Sequence, residues 1–436
     1  MRLLAKLMRS AIRVGTLTVR FPDGTSDVFG GVAPGPDVMI RVTDPGLGRK
    51  LFLNPELAAA EAYMDGRLIV EDGPEGGTAA DLLDLVFRNQ RRFDFSPMQV
   101  ALTKADIALR RFMQRNAPSA SRRNVAHHYD LGNDFYRMWL DADMQYSCGY
   151  FPEGEETLEQ AQTLKKRRIA AKLGLKPGMR VLDIGCGWGG LALYLAAVAD
   201  VEVVGVTLSN EQLVIATARA EAAGLADRVT FQLCDYRHVE GRFDRIVSVG
   251  MLEHVGIGHL PEYFATVRRL LAPDGAALIH SISANGTPGV TGPFIRRYIF
   301  PGGYAPCLSE ATLAVEKSGL WMLDVEMWRV HYGHTLREWR RRFMARRAES
   351  VAMYDERFAR MWEFYLAACE CAWFHGTSTL FQMQLGATRD ALPLHRHWIA
   401  DEEARLTLRE PDALARIDAA TRIAFGEPAG QVRAAW

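Results

Sequence analysis

The sequence has no run of about 18 apolar residues, so no segment is expected to cross a bilayer as a helix. Cysteine is scarce and scattered. The six are Cys148, Cys186, Cys234, Cys307, Cys369 and Cys371, with no C-x-x-C pair. That excludes the spacing of a zinc site or a disulfide framework, and reduced thiols in a cytoplasmic protein fit best. Net charge is missing too: 52 Lys and Arg balance 52 Asp and Glu. A dedicated nucleic-acid binder is usually strongly basic, so no nucleic-acid partner is expected. Met1 to Phe21 places Arg2, Lys6, Arg9 and Arg13 among leucines but lacks the continuous apolar stretch and cleavage site of a signal peptide.

What is present is a 436-residue chain, 48% hydrophobic and 24% charged, long enough for two or three domains. Its charge is unevenly spread. Between Val86 and Arg123 nine Lys or Arg face only Asp94 and Asp106, and a second basic cluster comprises Arg337, Arg340, Arg341, Arg342, Arg346 and Arg347. Such clusters are either solvated helix faces or attractors of an anionic bilayer surface. Alternating stretches at 16–22 and 38–43, an Asn54-Pro55 helix start, a short strand at 68–70 and a Thr78-capped helix outline a small α+β domain over 1–92. A basic helical linker over 93–123 follows. From about 124 to 390 strands and helices alternate, with strands at 179–184, 201–206, 229–234, 243–249, 276–282, 321–328 and 379–385. Helices are expected at 157–173, 189–198, 209–223, 260–271, 309–318 and 335–372. Alternation of this kind predicts an α/β fold with a mostly parallel sheet and ligands at one strand edge. Residues 391–436 read as a charged, amphipathic extension without a site.

The stretch Val181-Leu-Asp-Ile-Gly-Cys-Gly-Trp-Gly-Gly190 is the organising motif. A buried strand runs into a glycine turn and then a helix. Gly185, Gly187 and Gly189 remove Cβ atoms that would hold a ligand off the backbone. The G-x-G-x-G spacing is shorter than the dinucleotide fingerprint, and Asp183 would repel a pyrophosphate while suiting an ammonium or sulfonium. Both features point to S-adenosylmethionine. Strand two ends at Thr207-Leu208-Ser209, with Gln212 beyond, where many such folds carry an acid for the ribose. Strand three runs into Asp235-Tyr236-Arg237, where Tyr236 could border an adenine or simply pack at the edge.

Further stretches join this motif: His128-Tyr129-Asp130-Leu131-Gly132-Asn133-Asp134-Phe135-Tyr136, Tyr146-Ser147-Cys148, Gly250-Met251-Leu252-Glu253-His254, Ile279-His280-Ser281-Ile282, Phe300-Pro301-Gly302-Gly303 and His331-Tyr332. In this order and spacing, over about 122–386, the chain resembles the cyclopropane-fatty-acyl-phospholipid synthases, kin of the mycolic acid cyclopropane synthases. The resemblance implies a class I methyltransferase (Rossmann-like) fold with a seven-stranded sheet. Residues 28–90 resemble the small lipid-associated domain of the bacterial phospholipid enzymes. The implied activity is methylene transfer from S-adenosylmethionine to the cis double bond of a phospholipid acyl chain, with bound bicarbonate as base. A methyl-branched product from the same site remains the alternative.

Carried over residue by residue, the resemblance implies a bicarbonate cradle of Cys148, Glu253, His280, the backbone of Ile282, and Tyr332. It implies a methyl-donor pocket of Tyr129, Tyr146, Ser147, Asp183, Gly185, Gly187, Gly189, Thr207, Leu208, Gln212, Tyr236 and Arg237. Cys369 matches a family position proposed for the active site, although a thiol in an apolar helix has a raised pKa and packs inertly. Tyr129, Tyr146, Phe151 and Tyr304 could line a site that tolerates a carbocation. The implied partners are an unsaturated phospholipid in the membrane surface and a second copy in a homodimer, and the implied location is the inner face of a membrane, held peripherally. No metal is expected.

Overall fold

The computed structural model describes residues 8, 9, 11–90 and 131–426. The basic linker at 93–123 and Tyr129 fall outside them. Two compact units emerge, each assembled from segments distant in sequence. One combines the N-terminal 110 residues with 289–301 and 333–378; the other combines 111–288, 302–332 and the rest of the chain.

The first unit contains a four-stranded sheet of β1 (Val14–Arg20), β2 (Ser26–Gly30), β3 (Ala33–Val42) and β4 (Leu68–Asp72), in the order β2-β1-β3-β4. The expected strands are present. β2 was not anticipated, because Ser26-Asp-Val-Phe-Gly30 has little β-forming character and is held mainly by its antiparallel register with β1. Asn54 caps helix Pro55–Met64 by accepting from Leu57 N at 3.3 Å. Thr78 and Asp81 form the capping box of helix Ala79–Asn89.

The helix expected over 335–372 is instead three: His331–Ala345, Arg347–Met353 and Glu356–His375. The last begins where Asp355 accepts from Phe358 N at 2.7 Å, a side-chain cap that competes with helix continuation. It packs on Pro55–Met64 and Ala79–Asn89. Buried Glu363 secures that packing, taking Tyr63 Oη–H at 2.6 Å and Ala79 N–H at 3.1 Å. Of the arginines of 337–347, Arg340 and Arg347 are held by acids within the unit, while Arg337, Arg341 and Arg346 are paired at the surface. Arg340 bridges Glu75 and Glu370, Arg337 joins Glu370, Arg341 meets Glu338, Arg346 meets Glu349, and Arg347 spans Glu356 and Glu363. Acids the linear sequence places up to 265 residues away neutralise this cluster.

The second unit is a seven-stranded sheet in the order β10-β11-β9-β8-β5-β6-β7. Its strands are β5 (Arg180–Ile184), β6 (Glu202–Thr207), β7 (Val229–Leu233), β8 (Phe243–Val249), β9 (Leu271–Ala284), β10 (Trp321–Met327) and β11 (Ser378–Gly386). β5 to β9 run parallel, and β10 is antiparallel to β11. This is the mostly parallel α/β sheet expected. The strand order reverses beside β5, the switch point where ligands bind in such sheets. Both faces of β5 are buried: Val181 points into one core cluster and Leu182 and Ile184 into the other, which explains its unbroken apolar run.

The C-terminal extension forms helices His397–Thr407 and Glu410–Ala424, and Ile399, Leu406, Ala413 and Ile417 complete the first of these cores. Buried Glu410 locks them down: Arg167 Nε donates to it at 2.8 Å, Arg167 Nη2 donates to its other oxygen, and Tyr194 Oη–H donates at 2.5 Å. Arg167 is 22% exposed and Glu410 5%, so removing the acid leaves a partly buried guanidinium and the buried Tyr194 hydroxyl without their acceptor. Glu410→Ala is therefore expected to lower unfolding stability by about 1–3 kcal/mol, read by denaturant titration. A loss below about 0.5 kcal/mol, the range of ordinary surface changes, would contradict the locking role.

Candidate active site

The site is built at the C-terminal ends of β5, β8 and β9. At β5 the chain turns through Gly185, Gly187 and Gly189, with φ of +83°, +54° and +83°. These three glycines do not serve one purpose. A Cβ on Gly187 would meet nothing within 4 Å, leaving an open approach to the backbone. A Cβ on Gly189 would lie 2.6 Å from Phe231 Cζ, so that glycine permits close packing of helix on sheet.

Asp183 is 2% exposed, its Oδ2 has no hydrogen-bond partner among the described residues, and burial pushes its pKa up to about 7. A buried carboxylate without a donor is costly, and a cationic ligand would satisfy it. Asp183 and the open Gly187 thus fit the ammonium-bearing, phosphate-free donor inferred from the sequence.

Thr207 and Gln212 are bonded to each other, Thr207 Oγ1–H donating to Gln212 Oε1 at 2.8 Å. Ser209 caps helix Asn210–Ala222, and Leu208 is half-buried beside them. This ordered rim ends strand β6. At the end of β7, Arg237 forks onto Asp235 at 2.8 and 2.7 Å. Burial would raise the pKa of Asp235, but the Arg237 bonds outweigh it and hold the carboxyl low. Arg237 is thereby occupied, and it lies 5.4 Å from the centroid of the buried Tyr236 ring. Over the glycine turn Tyr136 contacts both Tyr146 and Trp188, at ring centroids of 5.5 and 5.3 Å, and Trp188 Nε1–H donates to Asn133 at 2.7 Å. Aromatic packing thus fixes the Tyr146–Cys148 segment.

Glu253 follows β8, and its Oε1 accepts the Ile282 N–H at 2.6 Å. Ile282 O accepts from Ser281 Oγ–H at 3.0 Å. The amide of Ile282 thus orients Glu253, and its carbonyl oxygen retains a second lone pair. Glu253 Oε2 is buried without a partner among the described residues, and burial raises its carboxyl to about pKa 7. His280 lies two residues before Ile282, on the same face of β9. It is 1% exposed, burial first and the nearby lysines second hold its pKa well below the ordinary value, and its Nε2 has no partner among the described residues. Cys148 is fully buried, Phe151 and Tyr304 are buried, and Tyr332 is half-buried at the start of helix His331–Ala345. Cys369 belongs to the other unit, on helix Glu356–His375. Burial there pushes its thiol up to about 12, as expected of packing rather than chemistry.

Sequence reasoning missed the support beneath these groups. Helix Leu158–Leu173 buries Lys165, Lys166 and Lys172. Lys165 Nζ donates to Gln145 Oε1 at 2.8 Å and Ser147 Oγ at 2.7 Å, and burial lowers its pKa to about 8. Ser147 is thus a lysine ligand. Lys166 and Arg219 share Asp143, at 2.5 Å for Lys166. Lys172 reaches Glu326 and Gln382, and Gln382 reaches His280. The available signal was positional: Gln162, Lys165 and Lys172 fall on the helical stripe of Leu158, Ala161 and Ile169. Among the described residues no group of three or more His, Cys, Asp or Glu could hold a metal ion, and no helix is long and apolar enough to cross a membrane.

The family model described as mycolic acid cyclopropane synthetase matches residues 116–383. The chain is 41% identical to the cyclopropane-fatty-acyl-phospholipid synthase of Escherichia coli K12, over 76% of this chain and 83% of that one. It is 36% identical to a probable fatty acid methyltransferase of Pseudomonas putida, over 81% and 88%. A crystal structure of a mycolic acid cyclopropane synthase complexed with SAH and CTAB superposes with a TM-score of 0.57 at 31% identity, covering 61% of this chain and 98% of that one. With the sheet order, the glycine turn and the buried Asp183 already in place, these matches make the chain a member of the mycolic acid cyclopropane synthetase family, an S-adenosylmethionine-dependent methyltransferase.

Proposed function

We propose that this enzyme converts the cis double bond of an unsaturated phospholipid acyl chain into a cyclopropane ring, with a bicarbonate ion as base. Methyl transfer from S-adenosylmethionine to lipid acyl chains is the coarser activity, supported by the family match. The finer reading rests on one observation. Glu253 Oε2 and His280 Nε2 are buried polar atoms without partners among the described residues, and Glu253, which follows β8, is bonded to the amide of Ile282, two residues on from His280 in β9. Native proteins rarely leave two such atoms together unless a ligand completes them. Bicarbonate carries both a donor hydroxyl and acceptor oxygens, which suits a carboxyl group beside a neutral imidazole.

Bound S-adenosylmethionine supplies an electrophilic methyl group. An alkene is a weak nucleophile; its π pair would take the methyl as S-adenosylhomocysteine leaves, and the resulting carbocation on the acyl chain must be kept from water until the base takes a methyl proton and the ring closes. Phe151 and Tyr304 are buried and exclude water, and Tyr146 offers an aromatic face. Glu253 and His280 would hold the base, with Cys148 and Tyr332 as further members of its surround. Asp183 would anchor the cationic end of the donor. The acyl substrate would be presented by a bilayer surface, and a homodimer remains part of the proposal from family likeness alone.

The P. putida relative, named a fatty acid methyltransferase, favours a second outcome in which the same cation loses a proton from the chain instead and leaves a methyl-branched alkene. Incubation with unsaturated phospholipid vesicles and the methyl donor separates them: ring-proton NMR signals are expected, and a new methyl signal with retained olefinic protons and no ring protons would favour the branch.

Glu253→Gln is expected to lower turnover by roughly 10²–10³-fold while donor affinity stays near wild type. Retention of more than half the activity would remove Glu253 from the base site. Depleting bicarbonate from the buffer is expected to suppress turnover and its re-addition to restore it; a rate indifferent to bicarbonate would eliminate that ion.

Asp183 gives a pH prediction. Its native pKa of about 7 lies above the ordinary 3.8, so the native state binds more protons than the unfolded state between these values. Stability of the ligand-free protein therefore falls as pH rises from about 4 to 7. Donor affinity moves oppositely, because a cation prefers the ionised acid. At pH 8, Asp183→Asn is expected to raise the melting temperature of the ligand-free protein and weaken S-adenosylmethionine binding, both measurable by thermal shift and calorimetry. A destabilised variant with unchanged affinity would refute the assignment.

A further inference from the structure

We infer that Gln382 is a positioning residue that sets the tautomer of His280, keeping the proton on Nε2 so that the unpaired nitrogen is a hydrogen-bond donor. The inference deepens the anion-site reading and rests on it for its catalytic consequence, though not for its structural content.

The starting point is Glu326 on β10. Its carboxylate receives Arg168 Nη2–H at 2.7 Å, Trp328 Nε1–H at 2.9 Å, and the ammonium of Lys172. Burial would raise its pKa, but the Arg168 and Lys172 bonds prevail and carry it down to about 2, so it is ionised. Lys172 is 2% exposed, and burial lowers its pKa to about 8, which leaves it an ammonium at neutral pH. An ammonium has donors and no acceptor. Its second contact, 2.7 Å to the Gln382 side chain, must therefore be to the amide oxygen. The reversed amide would set –NH2 against –NH3+, two donors in contact. Once the oxygen faces Lys172, the amide nitrogen faces His280 Nδ1, at 3.0 Å. An amide nitrogen only donates, so Nδ1 must accept and the ring proton must sit on Nε2.

The ring itself cannot easily turn away. It stands edge-on to Trp328 at 5.2 Å and 85°, and Tyr150 stacks on the same indole at 4.7 Å. Gln382 is fully buried in β11, and Gln384, two residues on, donates to Lys172 O at 2.8 Å, tying strand to helix at the same point. Every group in the series Glu326–Lys172–Gln382–His280 is thus fixed by its predecessor. Only the terminal Nε2–H is left over, buried and unpartnered among the described residues. A donor there suits an anion's oxygen; a lone pair there would repel it.

The test is 15N NMR of the full-length protein labelled at histidine, with the His280 signals assigned by their loss in His280→Asn. The expected wild-type spectrum shows His280 with a protonated Nε2 and an unprotonated Nδ1, and it needs no variant to fold. Gln382→Glu replaces the donor facing Nδ1 by an acceptor and is expected to move the proton to Nδ1. In the same variant turnover on unsaturated phospholipid vesicles should fall about 10–100-fold, as loss of a residue that orients a ligand group typically does, with S-adenosylmethionine affinity unchanged. A wild-type proton on Nδ1, or an unaltered His280 spectrum in Gln382→Glu, overturns the inference. If the tautomer is as stated but turnover ignores bicarbonate, positioning by Gln382 stands and the anion reading alone fails.

Discussion

Three lysine ammonium groups buried along one helix set the terms for the methyltransferase unit. Taking an ammonium out of water costs several kcal/mol even after relaxation, and helix Leu158–Leu173 does this at Lys165, Lys166 and Lys172. Each must therefore be met by fixed acceptors. Lys165 is met by Gln145 and Ser147, Lys166 by Asp143, Lys172 by Glu326 and Gln382. Those acceptors come from the segment that crosses the glycine turn, from β10 and from β11. Meeting the lysines ties the active-site walls to a single helix, and the order of the site follows from that electrostatic demand.

Against this satisfied layer stands an unsatisfied one. Asp183 Oδ2, Glu253 Oε2 and His280 Nε2 are as deeply buried as the lysines but lack partners among the described residues. Asp183 and Glu253 respond by moving toward neutrality, each to a pKa of about 7. A carboxyl poised there can ionise or donate at little cost, as ligand binding or proton transfer requires. Such atoms also weaken the empty protein, the usual relation between a preformed site and stability.

Much of this was legible in the sequence and some of it was not. The strands and helices from 179 to 385 read correctly to within a few residues because local periodicity and turn residues set them, with β9 starting earlier, at Leu271, and the long helix expected at 335–372 divided in three by the Asp355 cap. Glu253 and His280 were nameable because each sits in a short local motif. Pairing partners were not. The acids that Arg340 and Arg347 meet, Glu75, Glu363 and Glu370, could not be read from the arginine cluster itself. The bond from the Ile282 amide to Glu253 was not readable either. The packing of Phe231 that Gly189 permits was equally hidden. Each comes from a contact between residues far apart in the chain.

The sequence by itself determined the α/β alternation, the cofactor class and the candidate site residues, because a glycine turn, an acid two positions before it and the Leu-Glu-His and Ile-His-Ser motifs are local patterns with local causes. Only the tertiary structure decided how those residues are charged and oriented. A pKa depends on burial and on neighbours in space, and a histidine tautomer depends on what faces Nδ1. For His280 that group is Gln382, 102 positions away in sequence and 3.0 Å away in the fold.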